Sequence, residues 1–243
     1  MSLDFTVIVR NWDYFLWGRL FQGEAGGLVL TVLMSLASGV LSLVAGTALA
    51  VVCRLGPRWL GSVLRRLADL VRAIPLIFVI FWIYFLVPAL FRTEIPGAAS
   101  VILALAWFSS GAVMHTTLAG LGALGGGQRE AGLSSGLTEW QVFRYLLFPQ
   151  ALRNLVPSYV ALLVSLIKDT SLAYIMNVPE LTMTASQVNT RAQIYPAEIF
   201  LFTAAVYFAL CSALSWGASG LERAIRKART GQRQRQLEKA ATD

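Results

Sequence analysis

The sequence predicts an all-α integral membrane protein with about five transmembrane helices, its N-terminus outside and its C-terminus in the cytoplasm. Three observations carry this. Apolar residues fill 56% of the 243 positions and charged ones 14%, against roughly a quarter charged in soluble chains. Five stretches carry no charge: 25–53, 73–91, 95–128, 154–167 and 199–221. They approach or exceed the roughly 20 apolar residues that a spanning helix needs. Finally, Lys and Arg alternate by loop, fifteen following the first, third and fifth spans and five lying in the other segments. The richer set faces the cytoplasm by the positive-inside rule, so the number of spans is odd.

Taken in order, the chain opens on "MSLDFTVIVR", which has neither a basic leader nor a small-residue cleavage site, and no cleavable signal is expected. The following "NWDYFLWGRLF" mixes Trp and Tyr with Asp13 and Arg19, the composition of a helix lying at the headgroups. The first span places Ser35, Ser38, Gly39, Ser42 and Gly46 three or four residues apart, a spacing that lets another helix approach closely in lipid. The loop "CRLGPRWLGSVLRRLADLVRAIPL" is basic and amphipathic. Pro75 stands where a helix's first turn tolerates the missing N–H, and the second span is expected to run from there to about Pro88. The third span, about 98–121, dissolves into "GLGALGGGQ", a glycine cluster that ends a helix. Three regions follow: an interfacial segment over 1–24, a membrane domain over 25–221 and a basic cytoplasmic tail over 222–243. Cys53 and Cys211 lie in apolar spans without metal-ligand spacing and are expected to pack. No metal or cofactor site and no nucleic-acid partner is expected; the tail lacks interleaved aromatics and sits beside a membrane span, so membrane lipid is its expected neighbour.

The third interspan loop, "REAGLSSGLTEWQVFRYLLFP", is charged and too polar to cross. Gln128 to Leu133 fits a short helix that Gly136 would close. Thr138 followed by Gln141 makes a capping-box signature for a second helix, which Pro149 would end or kink. The expectation is a compact elbow over about 126–149 on the cytoplasmic face.

Glu130-Ala131, Gly136 six residues after the Glu, Leu146 after nine more, then Phe148-Pro149 resembles the "EAA" motif of ABC importer permeases, with Gly132 at the third motif position. "VRAIPL" (Arg72, Pro75), "GQREA" (Gly127, Gln128) and "LIKDTSLAYIMNVPEL" are similar to segments of the polar amino acid uptake permeases. In one stretch the chain departs from that family: Ala112, His115 and Leu118 stand where its members carry Tyr-x-x-Glu-x-x-Arg. The resemblance implies a type I ABC importer permease fold in a bacterial inner membrane. It further implies that Gly127, Gln128, Glu130, Ala131, Gly136 and Pro149 form a coupling helix seated on a separate ATP-binding ABC subunit. The implied partners are that ATPase, a periplasmic or other extracytoplasmic solute-binding protein, and a second permease chain, identical or paralogous. Independently, none of the three lysines follows a glycine, so no P-loop is present and ATP hydrolysis is expected of a partner chain.

Ionisable residues inside a span mark functional positions. Lys168 and Asp169 qualify, because the fourth span must extend past Ile167 to cross. As neighbours on a helix they do not face one another. In one reading Lys168 snorkels outward while Asp169 bonds nearby backbone; in the other, one of them faces a pathway. Lys168 or Arg72 would attract a substrate carboxylate, while Asp169, Thr170 and Ser171 would receive an amino group. The sole histidine, His115, and Pro75 complete the candidate path. With no acidic residue in the middle spans to select a cation, the expected substrate is glutamate or aspartate, with basic or other polar amino acids as the alternative. An ion-coupled secondary transporter is the other class; it would show internal repeats or charged relays, and neither is visible.

Overall fold

The computed structural model describes residues 5–20 and 23–242, and side chains up to 220 and at 223. Thr6–Trp17 forms α1, kinked at Asn11; Phe5 at its N-cap, Val9 and Trp12 are exposed while Val7, Ile8 and Phe15 are buried. A two-residue antiparallel pair, β1 (Gly18–Arg19) with β2 (Glu24–Ala25), turns the chain into the first span, α2 (Gly27–Leu55).

The small-residue side of α2 is buried, as its spacing predicted: Ser35, Ser38, Gly39, Ser42 and Gly46 all face inward. The hydroxyls of Ser38 and Ser42 donate to their own helix's carbonyls, Met34 O at 2.7 Å and Gly39 O at 2.9 Å. They therefore cost no unsatisfied donor in a dry interface. At Gly46 the partner is α6 (Gly97–Gly122), the third span, which approaches so closely that an added Cβ would lie 2.5 Å from the Ser110 carbonyl oxygen, while Gly39 faces Leu163 and Leu166 of the fourth span.

Between these two spans run α3 (Arg58–Ala73), α4 (Leu76–Phe81), a π-helical turn at Trp82–Leu86, and α5 (Val87–Phe91). The chain bends by 100° between basic α3 and apolar α4, and α4 through α5 carry the second apolar run. Pro75 sits at the N-cap of α4, one position ahead of the expected first turn, and the span continues past Pro88 to Phe91.

After the elbow, α9 (Phe148–Asp169) and a 3₁₀ segment, Thr170–Met176, complete the fourth crossing past Ile167. At the outer end α10 (Leu181–Ala192) covers the bundle, and α11 (Pro196–Thr242) returns as the fifth span. Four helices are long and apolar enough to cross alone among the described residues, and up to five crossings are reached when the bent α3–α5 run counts as one. Except for Arg223, the side chains of the expected basic tail lie outside the described residues.

Three apolar clusters set the layers. Met34, Val79, Ile80, Val101, Leu105 and Leu166 fill the centre. Phe15, Leu181, Val188 and Ile199 join α1, α10 and α11 at the outer end. Leu121, Val142, Phe143, Leu147 and Leu155 lie under the elbow.

Candidate functional site

The elbow is built from two caps. Its first helix, α7 (Gly126–Ser134), begins earlier than expected and ends in paired backbone bonds, Leu137 N–H to Gly132 O at 3.2 Å and Gly136 N–H to Leu133 O at 3.0 Å. That pattern needs a left-handed residue after the helix, and Gly136 supplies it with φ of 82°. Next, Thr138 caps α8 (Glu139–Gln141) through a complete capping box: Gln141 N–H donates to Thr138 Oγ1 at 3.3 Å, and Thr138 N–H donates to Gln141 Oε1 at 2.8 Å.

Pro149 does not end this second helix. A π-helical turn over Val142–Leu147 precedes it and α9 continues unbroken. A proline lacks the N–H for the bond to the carbonyl four residues back and crowds it; a local π-turn relieves both. The same device precedes Pro88 in the second span.

Gly132, at the third motif position, is buried where α7 crosses that π-turn: an added Cβ would sit 2.8 Å from Leu146 and from Val142. Around it Gly127, Gln128, Ala131, Ser135, Leu137 and Leu146 line an open crevice of about 420 Å³. The Gln150 side-chain amide donates to Gln128 Oε1 at 2.9 Å, tying α7 to the start of the fourth span. Arg129 forms a two-pronged ion pair with Glu139. Glu130 and Pro149 are solvent-exposed, and so are the aromatics Trp140 and Tyr145. The six elbow residues named from the sequence therefore sit in one packed elbow, with polar and aromatic groups displayed outward.

The candidate path residues fall into two groups, Arg72, Pro75 and His115 on α3, the α4 N-cap and α6, and Lys168, Asp169, Thr170 and Ser171 at the end of α9 and the 3₁₀ segment after it. Arg72, at the last turn of α3, packs over Gly111 of α6, and His115 of α6 lies with Nε2 2.9 Å from Asp69 Oδ1. Asp69 was not singled out in the sequence, where nothing marks it as the neighbour of a distant histidine. Lys168 is exposed, Asp169 and Ser171 are half-buried, and Thr170 is buried with its hydroxyl donating to Ile167 O at 2.7 Å. Ile74 and Leu76, which flank Pro75, meet Leu166, Leu172 and Ala173 in the central cluster. The two groups thus flank one apolar core.

Sequence reasoning also missed Glu180, which is fully buried at the N-cap of α10. It accepts from Thr182 N–H at 2.8 Å, Met183 N–H at 2.9 Å and the Tyr207 hydroxyl at 3.0 Å. Beside it, Leu181 N–H donates to Thr31 Oγ1 and Gly27 N–H to Pro179 O, so α2, α10 and α11 meet at this carboxyl. The signal available was an acidic residue opening a helix after "NVP".

Burial pushes its pKa from 4.5 up to about 7, although its hydrogen bonds pull the other way. Between those values the folded chain holds a proton that the unfolded chain has lost. The contribution is full below pH 4.5 and falls away as pH rises through about 7. Thermal stability should fall over this window by up to about 3 kcal/mol, and Glu180→Gln should flatten the dependence. Melting curves from about pH 5 to pH 8 check it; an unchanged slope in the variant would assign it elsewhere.

Comparison with known proteins agrees with this architecture. Residues 42–227 match the family described as "Binding-protein-dependent transport system inner membrane component". A probable glutamine ABC transporter permease of Bacillus subtilis is 38% identical over 166 residues, 67% of this chain and 75% of the relative. A glutamate/aspartate import permease of Escherichia coli is 29% identical over 230 residues, 91% of this chain and 98% of the relative. The crystal structure of an amino acid ABC transporter with histidines superposes with a TM-score of 0.79 at 25% identity, over 92% of this chain and 99% of that one. An inward-facing MetNI methionine transporter shares the fold at a TM-score of 0.71 and 20% identity, over 93% of this chain and 99% of that one. With four to five membrane helices, a doubly capped elbow and a family match over residues 42–227, the chain belongs to the binding-protein-dependent inner membrane transport components, among the amino acid ABC transporter permeases.

Proposed function

We propose that this chain is the translocating subunit of an ATP-driven importer whose substrate is glutamate or aspartate, and that the elbow is the handle gripped by a separate ATP-hydrolysing subunit. The observation that carries the reading is the elbow's construction. Two caps, the Gly132 contact and the Gln128–Gln150 bond make it a rigid body continuous with the fourth span. A push on α7 therefore reaches α9 without being absorbed by a flexible loop. Exposed Trp140 and Tyr145 beside the crevice offer the aromatic anchors common at protein interfaces.

A solute-binding protein on the outer side delivers the amino acid, and a second permease chain completes the pathway in a bacterial inner membrane. Arg72 and Lys168 are the carboxylate partners in this scheme, with Asp169 and Ser171 toward the amino group. Thr170 contributes through its helix, since its hydroxyl is already engaged. Glutamine is the second reading, favoured by the 38% identical relative named for it.

Accumulation of labelled amino acids in proteoliposomes holding the chain, its ATPase and its binding protein tests the substrate. Glutamate and aspartate should dominate a panel of acidic, amide and basic side chains. Preference for a basic amino acid would overturn the assignment of Arg72 and Lys168.

A further inference from the structure

We propose that the outer end of this chain carries a binding site for the phosphate headgroup of an anionic phospholipid, in the crevice between α1 and α10. The site does not depend on which amino acid is transported. The crevice has a volume of about 520 Å³ and is lined by Arg10 and Asn11 of α1, by Arg191 and Val188 of α10, and by Tyr195 just beyond. Its two guanidinium groups come from opposite ends of the sequence, and no carboxylate stands among the lining residues.

That arrangement runs against what electrostatics alone would favour. The segments assigned to the outer side hold only five Lys and Arg: Arg10, Arg19, Arg92, Lys168 and Arg191. Two of the five line one crevice, and Asp13, Glu24, Glu94 and Glu198 are not among its lining residues. Like charges brought together repel unless an anion joins them. Arg191 is also positioned, its guanidinium carbon 5.3 Å from the centre of the Tyr14 ring.

Depth supplies the second argument. α1 packs Val7, Ile8 and Phe15 against α10 and α11, leaving Phe5, Val9 and Trp12 exposed, with Trp17 beside them at the helix end. A helix with such a stripe lies in the plane of the membrane interface, its tryptophans at headgroup level. The arginine crevice opens on the flank of α1 that faces α10, at the same outer end as these side chains and within reach of lipid phosphates. Arginine matches a phosphate bidentately, and the volume admits a headgroup with its glycerol.

The test uses the complete importer, incubated with vesicles of mixed phosphatidylcholine and phosphatidylglycerol, then released into mild detergent for native mass spectrometry. The wild type should retain phosphatidylglycerol over phosphatidylcholine. Retention should fall about 25-fold in the Arg10→Gln, Arg191→Gln double variant, taking roughly fivefold for each basic residue near an anionic lipid. Equal retention by the two proteins overturns the site. Displacement of the lipid by inorganic phosphate overturns the lipid assignment in favour of a free-anion site. Loss of binding-protein docking with lipid retention unchanged overturns it in favour of a protein contact. Should the double variant fail to fold, a photoreactive phosphatidylglycerol on the wild type decides: label within residues 6–11 or 188–195 supports the site, and label confined elsewhere refutes it.

Discussion

Gly136→Val should cut coupled uptake by more than about tenfold while the chain remains inserted in the membrane. Gly136 holds φ at 82°, in the left-handed region. A side chain there costs about 1–2 kcal/mol, more for a β-branched one. The strain is relieved by opening the two backbone bonds that close α7, which frees the angle between α7 and α8. None of the five crossings depends on those bonds, so membrane abundance stays near wild type. Glu130→Arg reaches the same end differently, by reversing an exposed charge on the elbow proposed as the handle for the ATPase. Loss of one interface anchor costs about 2 kcal/mol or more, so ATP-driven uptake should fall by more than about tenfold in either variant. Uptake per inserted chain in proteoliposomes measures it; wild-type uptake in both variants would remove the elbow from the coupling path.

Gly46→Leu acts on the fold itself. The α2–α6 crossing leaves no room at this position: a Cβ would meet the Ser110 carbonyl oxygen at 2.5 Å and Val113 Cβ at 2.5 Å. Overpacking of a close-packed core costs roughly 1–3 kcal/mol even when side chains can shift. Here one of the opposing atoms is backbone, so the helices must separate and the buried serines of α2 lose their dry partner face. The yield of monodisperse protein and its thermal midpoint should both fall sharply, with Gly46→Ala intermediate. A wild-type midpoint for the leucine variant would mean that the crossing is looser than described.

The parts legible in the sequence are those that local chemistry determines. Uncharged runs located the crossings, the fourth only once it is extended past Ile167. The spacing of Ser35, Ser38, Gly39, Ser42 and Gly46 identified the buried side of α2. Gly136 and the Thr138–Gln141 pair announced the two caps of the elbow, because each acts within a few residues of itself. Pro149 was harder: a proline signals a break, yet one π-turn absorbs it and lets the helix run on. What stayed hidden depends on segments that meet only after folding. Asp69 acquires its meaning from His115, Glu180 from Tyr207 and from the backbone at Gly27, and Arg10 from Arg191. No periodicity links such pairs.

Site-directed cross-linking tests the central claim most directly. In a chain with Cys53 and Cys211 replaced by serine, Ala131→Cys puts a thiol in the elbow crevice, and Thr190→Cys puts one on the exposed outer end. Assembled with its ATPase, the elbow variant should cross-link to that subunit, with a yield that changes when ATP is bound, while the outer variant should not. An intact complex in which Ala131→Cys gives no cross-link at any nucleotide state would contradict the assignment of the elbow as the handle for ATP-driven transport.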